Sequence, residues 1–402
     1  MATTKLTKSF ASAGDRTLWT LSFWTKRSSL SNTNQVFGKY TDSSNRDNCY
    51  FNTSNQFFWQ IYNSASTVGR IITNRLFRDI SAWYHIVMIY DSDNATTNDR
   101  MRLYINGERE TSFNTYDTLS SGTSSNTNNS GTFTIGEDGN GFNFYDGSMT
   151  HINFIDGTAY PASTFGETDS LTGIWVPKTS PSVTYGTNGF FLKFASSGSM
   201  GTDSSGNSNN FTVNGNLTQT QDTPSNVFAT LNPLHFGSDV GTVTMSNGNL
   251  TFSNSGSDSW RPSTQAVSSG KYYAEFKTTG VTGAGGVGIN SGALTGYTGS
   301  GAYDYVYLGN GIVYNNDNNQ GGTFASFSTN DIIGVAVDLD NNKIYFSING
   351  TFQNSADPTS GATGTGAIAV ADPSSNGTGF YHFSVGDAGS GTVSFQANFG
   401  NG

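Results

Sequence analysis

The stretch Leu18-Trp-Thr-Leu-Ser-Phe-Trp24 alternates between two sets of side chains. Trp19, Leu21 and Phe23 fall on one side of an extended chain, because successive side chains of a strand point to opposite faces. Large apolar residues at every second position are typical of a strand that has one face in a core. The stretch therefore predicts a β-strand whose tryptophan, leucine and phenylalanine face packs against a second sheet.

Similar short runs recur along the first half of the chain, separated by turn-forming residues. Met101-Arg-Leu-Tyr-Ile105 leads directly into Asn106-Gly107, a dipeptide that accepts the positive φ angles of a tight hairpin turn. No run has a helical period of useful length. Further strands are predicted near residues 57–62, 83–90, 133–136 and 149–155. This spacing favours two packed antiparallel sheets.

A second series of strands begins after a polar stretch, residues 217–236, that contains Pro224 and Pro233 and reads as a linker. Gly270-Lys-Tyr-Tyr-Ala-Glu-Phe276 alternates as the first strand does. The run from Asp331 to Asp340 turns at Asn341-Asn342 into Lys343-Ile-Tyr-Phe-Ser-Ile348. We therefore predict an all-β protein with two antiparallel β-sandwich domains of jelly-roll type in tandem, residues 1–216 and 237–402.

Composition excludes several classes of protein. Of the 402 residues 49 are glycine, 13% are aromatic and only 12% are charged, whereas disordered chains are usually charged and poor in aromatics. The formal charge is −10 and no run of Lys or Arg is present, so we expect no nucleic-acid partner. The stretch Met1–Leu30 lacks the apolar run of a secretory signal or membrane span, and Cys49 is the single cysteine. These features predict synthesis in a reducing cytoplasm, no disulfide framework and no membrane insertion.

The first half resembles the concanavalin A-like, laminin-G-type jelly roll over about residues 1–230. The resemblance rests on Trp19-Thr-Leu-Ser-Phe-Trp24, Trp83-Tyr-His-Ile-Val87, Leu103-Tyr-Ile-Asn-Gly107, Ile135-Gly136, Asp146-Gly-Ser-Met-Thr-His-Ile-Asn-Phe154, Phe190-Phe-Leu-Lys-Phe194 and Asp203-Ser-Ser-Gly-Asn-Ser-Asn-Asn-Phe-Thr212. Two further details, Phe154-Ile-Asp-Gly-Thr-Ala159 and Phe165-Gly-Glu-Thr168, are similar to a protein type common in marine bacteriophages.

Residues 240–402 resemble the SPRY domain. The resemblance is carried by Gly270-Lys-Tyr-Tyr273, by the Asp331–Ile348 hairpin with its closing Asn349-Gly350 turn, and by Phe395-Gln-Ala-Asn-Phe-Gly400. SPRY domains are β-sandwiches that bind partners through loops and have no catalytic role as a class. The loops of this chain are poor in charge and rich in Gly, Asn and Thr, so the resemblance implies a binding module without naming its ligand.

Catalysis is not expected. A glycosidase of the concanavalin A-like type needs two carboxylates that flank the scissile bond. The one alternate pair of glutamates, Glu108 and Glu110, directly follows the Asn-Gly turn, where we expect solvated charges. His85 and His151 fall inside predicted strands, and no Gly-x-Ser-x-Gly elbow lies between a strand and a helix. We therefore predict no catalytic residues.

Metal and glycan sites have two interpretations each. Calcium in lectins of this fold is held by loop carboxylates, which would make a calcium ion possible here, although turn chemistry explains the same residues. The loop carboxylates are Asp42, Asp47, Asp91, Asp93 and Asp99. We expect no metal site and no cofactor. A glycan site would use exposed aromatics, which otherwise pack in the core. The aromatic candidates near loops are Trp59, Tyr62, Trp260, Tyr297, Tyr303 and Tyr314.

The function that these features predict is that of a non-enzymatic phage virion protein, either a tail fibre or adhesin or a capsid decoration. It would display its β-sandwiches for attachment to the host surface. The expected partners are other virion proteins, host cell-surface polysaccharide and further copies in a symmetric homo-oligomer, although no heptad segment specifies a trimer. Two alternatives stay open: a bacterial cell-surface carbohydrate-binding adhesin, and a concanavalin A-like glucanase. The predicted location is the virion.

Overall fold

The structure is a computed structural model that describes residues 3–235, 241–282, 284–293 and 296–401. The chain divides into two compact units, Met1–Val227 and Phe228–Gly402. Both units consist of antiparallel sheets joined by turns and short 3-10 segments, so the predicted all-β sandwich fold is confirmed. Within the described ranges no helix is long and apolar enough to cross a membrane.

The first unit has two large sheets. Eight strands join in the order β10-β6-β5-β4-β3-β11-β1-β16, and six in the order β15-β12-β2-β7-β8-β9; β13 and β14 form a separate hairpin. The bounds are β1 Lys5–Phe10, β2 Leu18–Arg27, β3 Asn34–Asp42, β4 Asn45–Phe51, β5 Gln56–Asn63, β6 Ser66–Leu76, β7 Tyr84–Asp91, β8 Met101–Ile105, β9 Glu108–Arg109, β10 Phe113–Asp117, β11 Gly131–Ile135, β12 Gly147–Asp156, β13 Gly166–Thr168, β14 Trp175–Pro177, β15 Phe190–Leu192 and β16 Thr212–Asn214, with 3-10 turns at Thr97–Asp99 and Ala162–Thr164.

The core of the first unit contains the strand face that the sequence predicts. Trp19, Leu21 and Phe23 of β2 are almost completely buried in it. The Trp19 ring stacks on Tyr90 of the neighbouring β7 with 5.3 Å between ring centroids. Asn106 and Gly107 both have positive φ angles, so the hairpin between β8 and β9 has the predicted turn.

The outer face of the six-stranded sheet in the first unit is covered by its own chain. Val87 and Ile89 of β7 and Ile155 of β12 form a small apolar cluster with Ala162 and Phe165. These last two residues belong to the segment 157–185, which follows β12 and includes the β13–β14 hairpin. We call this segment the cover of the first unit. The opposite strand face of β2, which the sequence leaves unassigned, is therefore buried as well.

The second unit repeats the two-sheet plan. Its larger sheet runs β17-β18-β30-β20-β25-β26-β27, with β28 also paired to β26, and its six-stranded sheet runs β19-β29-β21-β22-β23-β24. The bounds are β17 Thr242–Ser246, β18 Thr251–Gly256, β19 Ser259–Val267, β20 Lys271–Gly280, β21 Gly285–Asn290, β22 Asp304–Leu308, β23 Val313–Asn315, β24 Asn318–Asn319, β25 Ile332–Asp338, β26 Lys343–Ile348, β27 Thr351–Phe352, β28 Ile368–Ala369, β29 Tyr381–Asp387 and β30 Gly391–Asn398, with 3-10 turns at Gly361–Thr363 and Pro373–Ser375.

The predicted linker, residues 217–236, contains the boundary between the two units. On the first-unit side, the Asp222 carboxylate accepts hydrogen bonds from Lys26 at 2.6 Å and from the indole of Trp83 at 3.0 Å. On the second-unit side, Leu231 is fully buried and bridges to Ser263 of β19. Residue 236 lies outside the described residues. Each side of this stretch is thus packed within its own unit.

Candidate glycan-binding surfaces

Two of the six predicted aromatic contacts are buried. Trp59 is 0% exposed, because its side of β5 faces the core, where its ring lies 5.7 Å from that of Trp19. Trp260 is 1% exposed on the outer face of the six-stranded sheet of the second unit, and its ring contacts His235. A sugar cannot reach either indole, so these two residues are corrected to packing residues.

Tyr62 occupies the outer side of the same strand, β5, whose inner side carries Trp59. Its ring is half-buried beneath the Arg46 guanidinium, which lies 3.9 Å from the ring centroid. Its hydroxyl donates a hydrogen bond to the carbonyl of Ala65 at 2.8 Å. Tyr62 therefore lies on an accessible sheet face with its ring fixed in position.

The outer face around Tyr62 carries two further rows of side chains. Tyr50, Phe58 and Ile72 align across β4, β5 and β6, and the rings of Tyr50 and Phe58 stack at 4.4 Å with an interplanar angle of 18°. The next row is polar, and neighbouring rows on one side of a strand lie about 7 Å apart. We call the surface the first aromatic face; its rows are Tyr50, Phe58 and Ile72, then Asn48, Gln60, Arg70 and Asp117, then Arg46 and Tyr62.

The first aromatic face combines half-buried rings with polar groups of both signs. The Arg70 guanidinium pairs with the Asp117 carboxylate at 2.8 Å, and both side chains stay about one-third exposed or more. Burial raises the pKa of Tyr50 to about 12, so its phenol is a neutral hydrogen-bond donor and acceptor. Flat apolar rows flanked by such groups suit the alternating C–H faces and hydroxyls of a polysaccharide. Sequence reasoning missed Tyr50 and Phe58, because β5 carries aromatic residues on both of its faces and alternation alone does not tell which face is accessible.

The three predicted tyrosines of the second unit have different surroundings. Tyr297 is 37% exposed and donates a 2.5 Å hydrogen bond to Asp317, which raises the pKa of its phenol. The backbone of Asp317 bonds to Gly299, whose backbone lies against Tyr314, so these two tyrosines share one edge of the sheet. Tyr303 instead donates its hydroxyl to the Ser375 carbonyl at 2.8 Å. The structure thus brings together Tyr297 and Tyr314 only.

A groove of about 340 Å³ in the first unit corrects the expectation for Glu110. The glutamate is 7% exposed and pairs with Arg75 at 2.7 Å, while its second oxygen accepts two backbone N–H bonds. Glu108 is exposed, as expected. Glu110 is the one carboxylate among the described residues that line the groove, which lacks the carboxylate pair of a glycosidase.

A serine hydroxyl and a histidine ring contact each other in the interior of the first unit. His85 Nε2 lies 2.9 Å from Ser22 Oγ, and its Nδ1 accepts a 3.0 Å hydrogen bond from the indole of Trp175 in the cover. Both Ser22 and His85 are 0% exposed, and burial lowers the pKa of His85 to about 3. The imidazole is therefore a neutral packing element that no substrate reaches.

Four of the five aspartates predicted as possible calcium ligands have separate partners, and the fifth is exposed. Asp47 accepts bonds from Asn126 and Thr127 in the interior, and Asp42 accepts bonds from its own turn. Asp91 pairs with Arg102, Asp99 pairs with Arg109, and Asp93 is exposed in a loop. Across the residues that the structure describes, no three Asp, Glu, His or Cys side chains gather as metal ligands.

Comparison with known proteins gives one family match. Residues 5–162 match the family model described as the concanavalin A-like lectin/glucanases superfamily, so this part of the chain is similar to the family that its sequence resembles. No curated protein sequence matches the chain. Nothing among these similarities concerns a phage or marine source.

Several solved structures share a weak likeness with the chain. They are the SPRY domain of human HERC1 (16% identity, 42% of this chain and 98% of that one, TM-score 0.33), a heptameric SAP-like pentraxin from Limulus polyphemus (16%, 44% and 87%, 0.32) and the TRIM65 PSpry domain (12%, 42% and 91%, 0.31). Because the TM-scores are below 0.5, no functional inference depends on them.

Proposed function

We propose that this protein is a non-enzymatic, carbohydrate-binding virion protein of a phage, a tail fibre or adhesin or a capsid decoration, that binds host-surface polysaccharide. The observation that carries the proposal is the first aromatic face, where the half-buried rings of Tyr50, Phe58 and Tyr62 lie beside amide and charged side chains. The family match to a lectin and glucanase superfamily covers the strands that build this face.

Binding without hydrolysis is supported by the way the other surfaces of the first unit are used. The outer face of the six-stranded sheet is covered by Ala162 and Phe165, which leaves no room there for a polymer. The groove beside Glu110 offers a single carboxylate, whose charge is already paired with Arg75. Glycoside hydrolysis by the usual routes needs two carboxylates about 5–10 Å apart.

Display on a particle is supported by the composition of the chain and by the way in which each unit is stabilised. The chain is acidic and poor in charged side chains, and its sandwiches are built around buried aromatic cores rather than disulfides, since Cys49 is a free buried thiol. A symmetric homo-oligomer would present several copies of the aromatic face at once. Several weak contacts to a repeating polysaccharide then sum to firm adhesion.

Binding and catalysis are tested together on the purified chain. We expect it to sediment with insoluble host envelope polysaccharide and to release no reducing sugar from that material or from β-glucans. Glu110→Gln serves as the control, because it removes the one carboxylate of the groove. Turnover by the wild type that the variant lacks would contradict the non-enzymatic proposal.

The virion location has its own test, immunogold labelling of gradient-purified phage particles with an antibody to this chain. Gold at the tail tip or fibres supports an adhesin, and gold spread over the head supports a decoration protein. Expression during infection without any gold on particles would overturn the virion proposal, and gold on the surface of uninfected bacteria would favour a cellular adhesin.

A further inference from the structure

The second unit has a small hollow on the outer face of its larger sheet. Its volume is about 210 Å³, and we call it the tyrosine hollow. Tyr273 of β20 lies on this face and is 48% exposed at the rim of the hollow, whereas Tyr272 has the orientation of the core residues Ala274 and Phe276. The lining residues that bear on its chemistry are Lys271, Tyr273, Asp338, Tyr345 and Pro358.

The backbone beneath Tyr273 is shaped to hold its ring. Gly334 pairs with Glu275 across β20 and β25, and a Cβ at position 334 would lie 2.4 Å from the Tyr273 hydroxyl. Any larger residue there would displace the ring. The Tyr273 hydroxyl donates a 3.0 Å hydrogen bond to Glu275, which fixes the ring edge while one face stays accessible.

One buried hydroxyl without a partner and one ion pair lie at the floor and side of the hollow. Tyr345 is 1% exposed, and its hydroxyl has no hydrogen-bond partner within the described part of the chain. A buried hydroxyl without a partner costs about 1–3 kcal/mol, so such groups commonly mark a missing partner. Beside it, the Lys271 ammonium bonds to the Asp338 carboxylate, and the side chain of Lys271 is 55% exposed to solvent.

The dimensions and chemistry select a class of ligand. The volume is below the roughly 300–1,000 Å³ of pockets for drug-sized molecules, so one ring fits and an extended peptide or polymer segment does not. Aromatic rims bind the C–H face of a pyranose, and a lysine–carboxylate pair offers both donors and acceptors to its hydroxyls. Among the residues that line the hollow, the charges of Lys271 and Asp338 balance each other, which favours a neutral ligand over an ionic one.

We propose that the tyrosine hollow binds a single neutral hexopyranose ring, which gives the second unit a sugar site separate from the first aromatic face. Tyr273 stacks on the ring, and the Tyr345 hydroxyl gains its missing partner from a sugar hydroxyl when Lys271 moves aside. The inference goes beyond the proposed function, which depends on the first unit alone.

The test measures binding of methyl α-glucoside, methyl α-galactoside, methyl α-mannoside and N-acetylglucosamine to the full chain by saturation-transfer NMR and titration. Tyr273→Ala should weaken binding of the preferred sugar about tenfold. Tyr345→Phe should weaken it about fivefold while leaving the melting temperature unchanged or higher, because the lost hydroxyl has no partner in the chain. Tyr303→Phe is the matched control, since that tyrosine of the same unit is outside the hollow.

The outcomes separate this inference from the proposed function. Sugar binding that falls in the Tyr273 and Tyr345 variants and persists in Phe58→Ala supports the hollow. Binding that is lost in Phe58→Ala alone, or in Tyr303→Phe as strongly as in Tyr345→Phe, overturns it. So does binding of none of the four sugars. Sedimentation with polysaccharide tests the first aromatic face, and its result does not depend on whether the tyrosine hollow binds a sugar.

Discussion

Each of the two units has one buried and one accessible outer sheet face, but the groups buried on that outer face differ in chemistry between the units. In the first unit, Phe165 and Ala162 cover the outer face of the six-stranded sheet with apolar contacts. Beneath them the Trp175 indole donates a hydrogen bond to His85. In the second unit, the corresponding sheet buries Asp304 at its outer side, where Gly299 donates its N–H to one carboxylate oxygen and the other oxygen has no partner among the described residues.

Because of this difference, the contributions of the two buried faces to stability depend on pH in opposite ways. Burial lowers the pKa of His85 from 6.5 to about 3, so its contribution to stability is lost as the pH falls through that window. Burial raises the pKa of Asp304 from 3.8 to about 8, so its contribution is lost as the pH rises. The accessible faces are alike by contrast, since both carry half-exposed tyrosines beside an ion pair, Arg70–Asp117 in the first unit and Lys271–Asp338 in the second.

The largest expected effect is on the apolar cover. Phe165→Ala removes a 2% exposed ring from the cluster over Val87 and Ile89, and should lower the free energy of unfolding by about 3–5 kcal/mol. Chemical denaturation measures the change. Phe142→Ala, which removes a 62% exposed ring, is the control and should shift the unfolding free energy by about 0.5 kcal/mol or less. Equal effects of the two variants would show that the cover is not packed.

Asp304→Asn should change how the stability of the second unit depends on pH. The buried carboxyl holds a proton that the unfolded chain releases above its ordinary pKa of 3.8, so the stability of the second unit falls as the pH rises from about 4 to 8. The slope should approach about 1.4 kcal/mol per pH unit at its steepest. The asparagine variant lacks this slope and should be the more stable protein at pH 8. Denaturation curves of both proteins at pH 5 and pH 8 measure it, and parallel pH dependences would contradict the assignment.

The accessible face should lose binding rather than stability. Phe58→Ala removes the ring that stacks on Tyr50 and should weaken polysaccharide binding about tenfold, with a cost in unfolding free energy of about 1.5 kcal/mol or less. Binding isotherms and denaturation curves of the same preparation give both values. Phe142→Ala is again the matched control. An equally large loss of binding in that variant would contradict the claim that the first aromatic face binds the polysaccharide.

The smallest effect is expected at the exposed ion pair of the first aromatic face. Asp117→Asn breaks the contact with Arg70, whose side chain is 33% exposed, and should lower the unfolding free energy by less than about 1 kcal/mol. The difference from wild type should disappear in 1 M salt, where exposed charges are screened. A larger loss that persists at high salt would mean that the pair is not solvated.

Strand identity and turn chemistry could be predicted from the sequence, because both are local. Alternation located Trp19 on the core side of β2, and the Asn-Gly dipeptides located two hairpin turns whose φ angles are positive. The side of an aromatic-rich strand could not be predicted in the same way. In β5, Phe58 and Trp59 are adjacent and both suit a core, so only the packed structure decides that the phenyl ring is accessible and the indole is not.

Contacts over long sequence separations explain the remaining differences. The sequence around Glu110 predicts a solvated charge, but in the structure Glu110 pairs with Arg75, which is 35 residues away. Trp260 is predicted to be an aromatic residue near a loop, but the strand register places it in β19, where it is buried. The first aromatic face likewise requires β4, β5 and β6 to be in register, since its rows are formed by residues from three strands.

Hydroxyl-radical footprinting of the full chain, with and without bound host polysaccharide, tests most directly whether the first aromatic face binds glycan. We expect the polysaccharide to lower oxidation of Tyr50, Phe58 and Tyr62, while the exposed ring of Phe142 is oxidised as before. Unchanged oxidation of the three rings while the polysaccharide is bound, or protection confined to the segment 157–185, would contradict the claim that the accessible sheet face binds glycan.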